Sequence, residues 1–377
     1  MFSIPETFFL YTLLAIVCPM LCVLSDRTNS KWGVYMAYAL LILVSMIRFD
    51  IGADYENHAT MFMNRAQTLN HGVLRLVDYL KPEPLIYLFI FLFKDLDYCY
   101  VYVFGVISLI SVVLMYKVLD YYKIHTLGIL MYIVSFTLFQ TWDWARQGMA
   151  LSFFLFSLRY VEARNPWKYL LCIFLAIISH YSAFLLVPMY WIYRYAPKHR
   201  LTSIVICSVL FGMFCLVEVG IFSSLHERLV ALIPFYGQIY SKTGYMQNGE
   251  GTYHTSTYIV TVLMYIAIIF FTKKEHAGLA VLMGLGAFIY IIAGGNLNFT
   301  RMAWYVTSIQ IILVPKILLD SEGELYNKMF VRYLYLFLVL FAIFEYVYIK
   351  SNFRDVVPYE TVFSEEFSRQ QFRIRAY

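Results

Sequence analysis

Apolar residues run along this chain in long uninterrupted blocks, not at the 3.6- or 2-residue spacing of a half-buried helix or strand. Blocks of this kind read as helices that are apolar all round, and a helix crossing a bilayer needs about 20 such residues, within a range of about 17–25. The pattern predicts spans over 7–24, 32–47, 98–117, 126–141, 147–163, 167–180, 181–195, 201–217, 256–272, 277–293, 301–319 and 330–349. The run 84–93 is too short to cross a core of ~30 Å at ~1.5 Å per residue, so it reads as a short re-entrant or interfacial helix. The expected fold is therefore all-α and polytopic, with about 12 transmembrane helices. Residues 1–349 form a single transmembrane domain in this reading, and 350–377 a polar C-terminal tail. The first block has no basic residue before it, the first being Arg27, so it is expected to stay on the chain as a span and not to be cleaved as a signal.

Composition sharpens the picture by exclusion. The chain is 61% hydrophobic and 14% charged, with a mean hydropathy of +0.66. Soluble domains hold roughly 45–50% apolar and about 25% charged residues, so a water-soluble globule and a disordered chain are both excluded. The net charge of +5 is spread thinly and does not describe a nucleic-acid binder. Lys and Arg collect in the gaps 25–31, 117–125, 159–168, 194–200, 272–276 and 316–332, whereas the opposite gaps 141–147 and 294–301 hold only Arg146 and Arg301. Basic gaps face the cytoplasm. The alternation holds if 84–93 does not cross and 167–195 crosses twice; the N-terminus and the long loops 48–83 and 218–255 then lie outside. Loop 218–255 opens with amphipathic spacing (Ile221, Leu225, Leu229, Leu232) and continues into a turn-rich stretch with Tyr236 and Tyr240, rings suited to sugar faces or to interfacial anchoring. The tail is placed outside by parity and inside by its arginines. Six cysteines without a Cys-x-x-Cys pair read as small buried hydrophobes.

Basic residues on the outer face are informative because orientation does not require them there. Arg48, Arg146 and Arg301 each adjoin an apolar span at one predicted depth. Charge near a membrane is costly and marks function unless the side chain merely snorkels. Three convergent guanidiniums call for an anion, and their planar forks match phosphate oxygens. Tyr305 lies four residues after Arg301 and so shares its helix face. His180, where one span ends and the next begins, is the first choice for a base and Asp54 the second. Asp50 and Asp54 beside Arg48 read as salt-bridge partners before metal ligands. Glu83, between two prolines, complements the dipole of the short helix. His58, His71, His226 and His254 show no ligand spacing and receive no role. The expected catalytic set is His180, Asp54, Arg146 and Arg301, the substrate-binding set Arg48, Asp50, Tyr55, Glu83, Gln147, Tyr305, Tyr236 and Tyr240, and no metal or cofactor is expected.

These residues, in this order, resemble the EpsG-like branch of the Wzy polysaccharide polymerases. The resemblance rests on Arg48 to Tyr55 with Gly52, Asp54 and Tyr55, then on Glu83-Pro84, Ala145-Arg146-Gln147-Gly148, His180-Tyr181-Ser182-Ala183, and Arg301 to Tyr305. Leu85 stands where that family has glycine. The resemblance implies a GT-C-like fold in the bacterial inner membrane with its site on the periplasmic face. It implies joining of oligosaccharide repeat units carried on undecaprenyl diphosphate. Direct, metal-independent glycosyl transfer is the expected mechanism. Candidate partners are the lipid-linked substrates, the bilayer, a chain-length regulator and a flippase; nucleic acid is not among them. Two rivals stand beside this reading: a polysaccharide ligase using a lipid-linked donor, and a transporter or flippase of lipid-linked sugars. A transporter is expected to hold its charges near the midplane in broken helices.

Overall fold

The computed structural model describes residues 3–70, 83–218, 255–293, 297–319 and 356–369. In chain order the elements are α1 (Ile4–Thr28), α2 (Trp32–Met46), β1 (Arg48–Phe49), α3 (Tyr55–Asn70), α4 (Pro84–Phe93), α5 (Cys99–Tyr122), α6 (His125–Val134), α7 (Thr137–Asp143), α8 (Ala145–Glu162) and α9 (Pro166–Ser179). A 3-10 helix (Tyr181–Leu186) leads to α10 (Met189–Arg194), α11 (Arg200–Glu218), α12 (Thr255–Phe271), α13 (Ala277–Ala293), α14 (Leu297–Thr307) and α15 (Gln310–Leu319), and the described part of the tail holds β2 (Glu360–Thr361) and α16 (Glu365–Ser368). Among the described residues, four segments are long and apolar enough to cross a membrane: Ile4–Thr28, Cys99–Tyr122, Lys274–Ala293 and Thr300–Leu319. Several shorter apolar helices accompany them. Phe9, Ile16 and Met20 stay exposed along α1, and Leu201, Val205 and Val209 along α11, which suits a hydrocarbon surround. The chain is an all-α, multi-pass membrane protein.

The helix boundaries depart from the hydrophobic blocks where local chemistry intervenes. Block 126–141 is split at Ser135 and Phe136, where Phe136 adopts φ 62° and the Ser135 and Thr137 hydroxyls bond each other at 2.8 Å. Block 181–195 is a 3-10 helix of 6 residues, and after it an α-helix of 6 residues. Pro188 lies between them and cannot supply the backbone N–H that a continuous helix would need. Neither piece alone spans a ~30 Å core. Block 301–319 turns at Ser308 and Ile309, between α14 and α15. The segment 48–83, read from sequence as an outer loop, contains the helix α3. The block 84–93 is the helix α4 with the expected bounds. All six cysteines are free; five are buried and Cys215 is exposed. Tyr236, Tyr240, His71, His226, His254 and span 330–349 lie outside the described residues.

The chain divides into two compact units, one comprising Met1–Val187 with Leu318–Tyr377, the other Pro188–Ile317. In the second unit α13 packs against α10, α11, α12 and α14. Gly286 lets α14 approach closely, since a Cβ there would sit 2.9 Å from the Thr307 nitrogen. In the first unit α5 is central, with α2, α3, α4 and α8 around it, and α9 lies on both α4 and α8. Phe49, Tyr55, Phe62, Ile86, Ile90, Tyr100, Phe104 and Met149 form one buried cluster where these helices meet.

The tail is built into this first unit. β2 pairs antiparallel with β1, Arg48 opposite Thr361 and Phe49 opposite Glu360. Val362 N donates to Ile47 O at 2.9 Å. The Tyr359 hydroxyl donates to Val44 O at 2.6 Å, its backbone N–H to Thr7 Oγ1 at 2.8 Å, and the Tyr11 hydroxyl to Val356 O at 2.6 Å. Phe367 then packs on Phe49, ring centroids 5.2 Å apart.

Candidate active site

The site begins with the turn after α2. Gly52 adopts φ +103°, and a Cβ there would lie 2.7 Å from Asp143 Cα, so only glycine lets the turn press onto the end of α7. Pressed there, Asp54 N donates to Asp143 Oδ1 at 3.0 Å, and Tyr55 N donates to Gly52 O at 3.0 Å to start α3. Asp50, at φ 49°, is buried. The buried face of α3 is Tyr55, His58, Ala59, Phe62 and Ala66, a helical repeat aimed at α5. Tyr55 stacks on Phe104 with centroids 4.5 Å apart.

Arg48 is only 1% exposed. Its Nη1 donates to Ser108 Oγ at 2.7 Å and to the Ser45 carbonyl, and its guanidinium lies over the rings of Phe104 and Trp142. Its Nε and Nη2 are buried without a hydrogen-bond partner among the described residues. It braces the turn from beneath, and an anion would reach it only if the aromatic enclosure opened.

Four side chains from separate helices meet above that turn. Glu83 precedes α4, Arg146 stands in the first turn of α8, His180 caps the C-terminus of α9, and His58 comes from α3. Glu83 is 3% exposed and both its oxygens are used. Oε1 faces His180 Nδ1 at 2.5 Å, and Oε2 accepts from Arg146 Nη1. Arg146 Nε donates to His58 Nε2 at 3.2 Å. Gly148 allows the corner that presents Arg146, because a Cβ there would lie 2.7 Å from Thr141 Cα on α7. Glu83 itself has φ 77°, a left-handed conformation that a residue with a Cβ holds only when its surroundings fix it.

The electrostatics of the cluster follow from these contacts. Burial alone would raise the Glu83 carboxyl, but the Arg146 charge and the hydrogen bond from His180 outweigh it and hold it at about 2. An ionised carboxylate only accepts, so Nδ1 of His180 carries a hydrogen and, in the neutral ring, Nε2 carries the lone pair. His58 accepts from Arg146 at Nε2, which makes it the neutral tautomer with its hydrogen on Nδ1. The Arg146 side chain keeps 22% exposure, with donors beyond the two in use. The cluster thus holds a base oriented by a carboxylate next to a partly open guanidinium. Among the described residues no group of three or more His, Cys, Asp or Glu is placed to hold a metal ion.

The other expected residues are distributed more widely. Gln147 is buried one position after Arg146. Asp54 is half-buried on the turn, with its backbone tied to Asp143. Arg301 and Tyr305 belong to the second unit, on α14, where Arg301 is half-buried and Tyr305 fully buried. Glu83 is bonded to both His180 and Arg146. His58 and Asp143 were missed by sequence reasoning. His58 carried a readable signal all the same, since it falls three residues after Tyr55 and four before Phe62, on the apolar face of an otherwise polar helix. Asp143 gave none, because its role depends on Gly52 meeting it.

Comparison with curated proteins and with solved structures returns no match. The EpsG family model matches residues 31–361, nearly the whole chain, and spans β1, the Glu83–Arg146–His180 cluster, α14 and β2. The chain belongs to the EpsG family, a family of Wzy-like polysaccharide polymerases.

Proposed function

We propose that this protein joins undecaprenyl-diphosphate-linked oligosaccharide repeat units on the outer face of the bacterial inner membrane, by direct glycosyl transfer without a metal. The observation that carries the reading is the Glu83 carboxylate bridging His180 and Arg146, residues drawn from two different helices. An acceptor hydroxyl of one lipid-linked unit attacks the anomeric carbon of the other. The bond from that carbon to the diphosphate breaks, and its electron pair leaves with the diphosphate. His180 takes the hydroxyl proton at Nε2, the nitrogen that Glu83 leaves with a lone pair. Arg146 offsets the charge that grows on the departing diphosphate. Arg301 serves the second diphosphate, with Tyr305 on the same helix face. Asp54 shapes the turn that carries His58, and Arg48 braces it.

The test is the glycan ladder of a deletion strain complemented with variants. Loss of a polymerase leaves a single repeat unit on the final carrier. Loss of a ligase leaves long polymer on the lipid, and loss of a flippase leaves units inside the cell. Either of the last two patterns in the deletion strain would overturn the proposal.

A further inference from the structure

Arg65 lies seven residues after His58 on α3, two turns along, so both belong to the face of that helix turned to the cluster. Its guanidinium carbon sits 4.3 Å from the centroid of the Tyr87 ring. Tyr87 in turn is four residues after Glu83, one turn along α4 on the same side. Arg65 is close enough to Arg146 to be disfavoured by it and close enough to Glu83 to be favoured by it. Arg65 is hydrogen-bonded to the Tyr87 side chain, and among the described residues its Nη1 is buried with no hydrogen-bond partner. Glu83 accepts from Arg146 and is also close enough to Arg65 to favour its charge, so among the described residues this carboxylate faces two guanidiniums. The N-termini of α4 and α8, which open at Pro84 and Ala145, add further positive potential. A stacked arginine held beside another arginine, with a donor unspent, is an arrangement completed by an anion.

We propose that Arg65 is a second anion-binding guanidinium of this site, and that Arg65 and Arg146 together hold the diphosphate of a lipid-linked substrate. The proposal rests on the polymerase reading and extends it to a residue outside the motifs that suggested it. The Tyr87 ring fixes the plane of the Arg65 fork, so Lys is a poor substitute. Arg65 is a binding residue in this assignment; proton transfer stays with His180.

The test uses the full chain in nanodiscs, with undecaprenyl diphosphate, undecaprenol and inorganic pyrophosphate as probes, and thermal unfolding as the control for folding. Arg65→Gln is expected to weaken undecaprenyl diphosphate binding at least tenfold while leaving undecaprenol unchanged. Arg65→Lys, the variant that keeps the charge, is expected to lose several-fold with an unchanged melting temperature. Pyrophosphate competition that Arg65→Gln abolishes would show that the head group itself is held, whether lipid-linked or free. If Arg65→Gln and Arg65→Lys both bind undecaprenyl diphosphate as the wild type does, while Arg146→Gln does not, Arg65 has no such role and the polymerase reading stands. If the wild type prefers undecaprenyl diphosphate no more than undecaprenol, both fall together.

Discussion

Glu83→Gln is the substitution that separates a working dyad from a structural ion pair. It preserves size while removing the charge at a position 3% exposed. The carboxyl lies near 2 instead of its ordinary 4.5, held there by Arg146 and His180 against burial. At 1.36 kcal/mol per pKa unit that shift corresponds to about 3 kcal/mol of stabilisation, in line with the roughly 3–5 kcal/mol lost when one partner of a buried pair is removed. The amide also presents donors to His180 Nδ1 or Arg146 Nη1, each itself a donor, so one contact becomes a clash. Where a carboxylate that fixes a catalytic imidazole becomes an amide, the wrong tautomer costs about 10⁴-fold in turnover. Glu83→Gln is therefore expected to lower kcat by about 10³–10⁴-fold with a small change in KM, in polymerisation of purified lipid-linked repeat units in nanodiscs. The linkage has a definite sign. A depressed carboxyl contributes stability fully above its unfolded value and loses it as pH falls through about 2. Glu83 itself therefore stays ionised between about pH 5 and 9, and any acid limb of activity in that range must come from another group. Turnover within tenfold of wild type would refute the reasoning.

Further expectations follow from single contacts. Arg146→Lys can keep Glu83 or His58 but not both, and Arg301→Lys loses its fork; each should abolish long polymer on a glycan ladder, and normal chains from both would defeat the proposed roles. Gly52→Ala meets Asp143 Cα at 2.7 Å from a φ of +103°, so a loss of roughly 1–3 kcal/mol is expected by thermal unfolding, together with reduced activity. Tyr359→Phe removes the 2.6 Å bond to Val44 O, at a cost of about 1 kcal/mol, and should loosen the turn without abolishing turnover; hydrogen exchange at Ile47 to Phe49 reads it.

The sequence exposed the parts of this protein better than their meetings. Helices such as α1, α4 and α13 were legible because uninterrupted apolar runs leave no other fold in lipid. The break at Pro188 was overridden in that reading by the apolar block around it. Arg146 and His180 stood out as polar residues beside apolar spans. Glu83 was underread because a carboxylate ahead of a helix already has a dipole to complement, and its true partners lie 63 and 97 residues away. That distance is closed by α9 packing on α4 and α8, a tertiary fact with no local signature. The aromatic surround of Arg48 had no signal either, because Phe104 and Trp142 lie far along the chain from it.

Because Phe49 and Glu360 are ladder partners, no hydrocarbon can lie between them. Two residues joined by backbone hydrogen bonds sit at one depth, and a bilayer core of ~30 Å cannot separate them. Whichever apolar helices traverse the lipid, the stretch from 50 to 359 must therefore do so an even number of times. A reporter fused after the tail and one inserted near Arg48 are bound to report the same compartment, and any topology map with an odd count between them has misplaced a crossing.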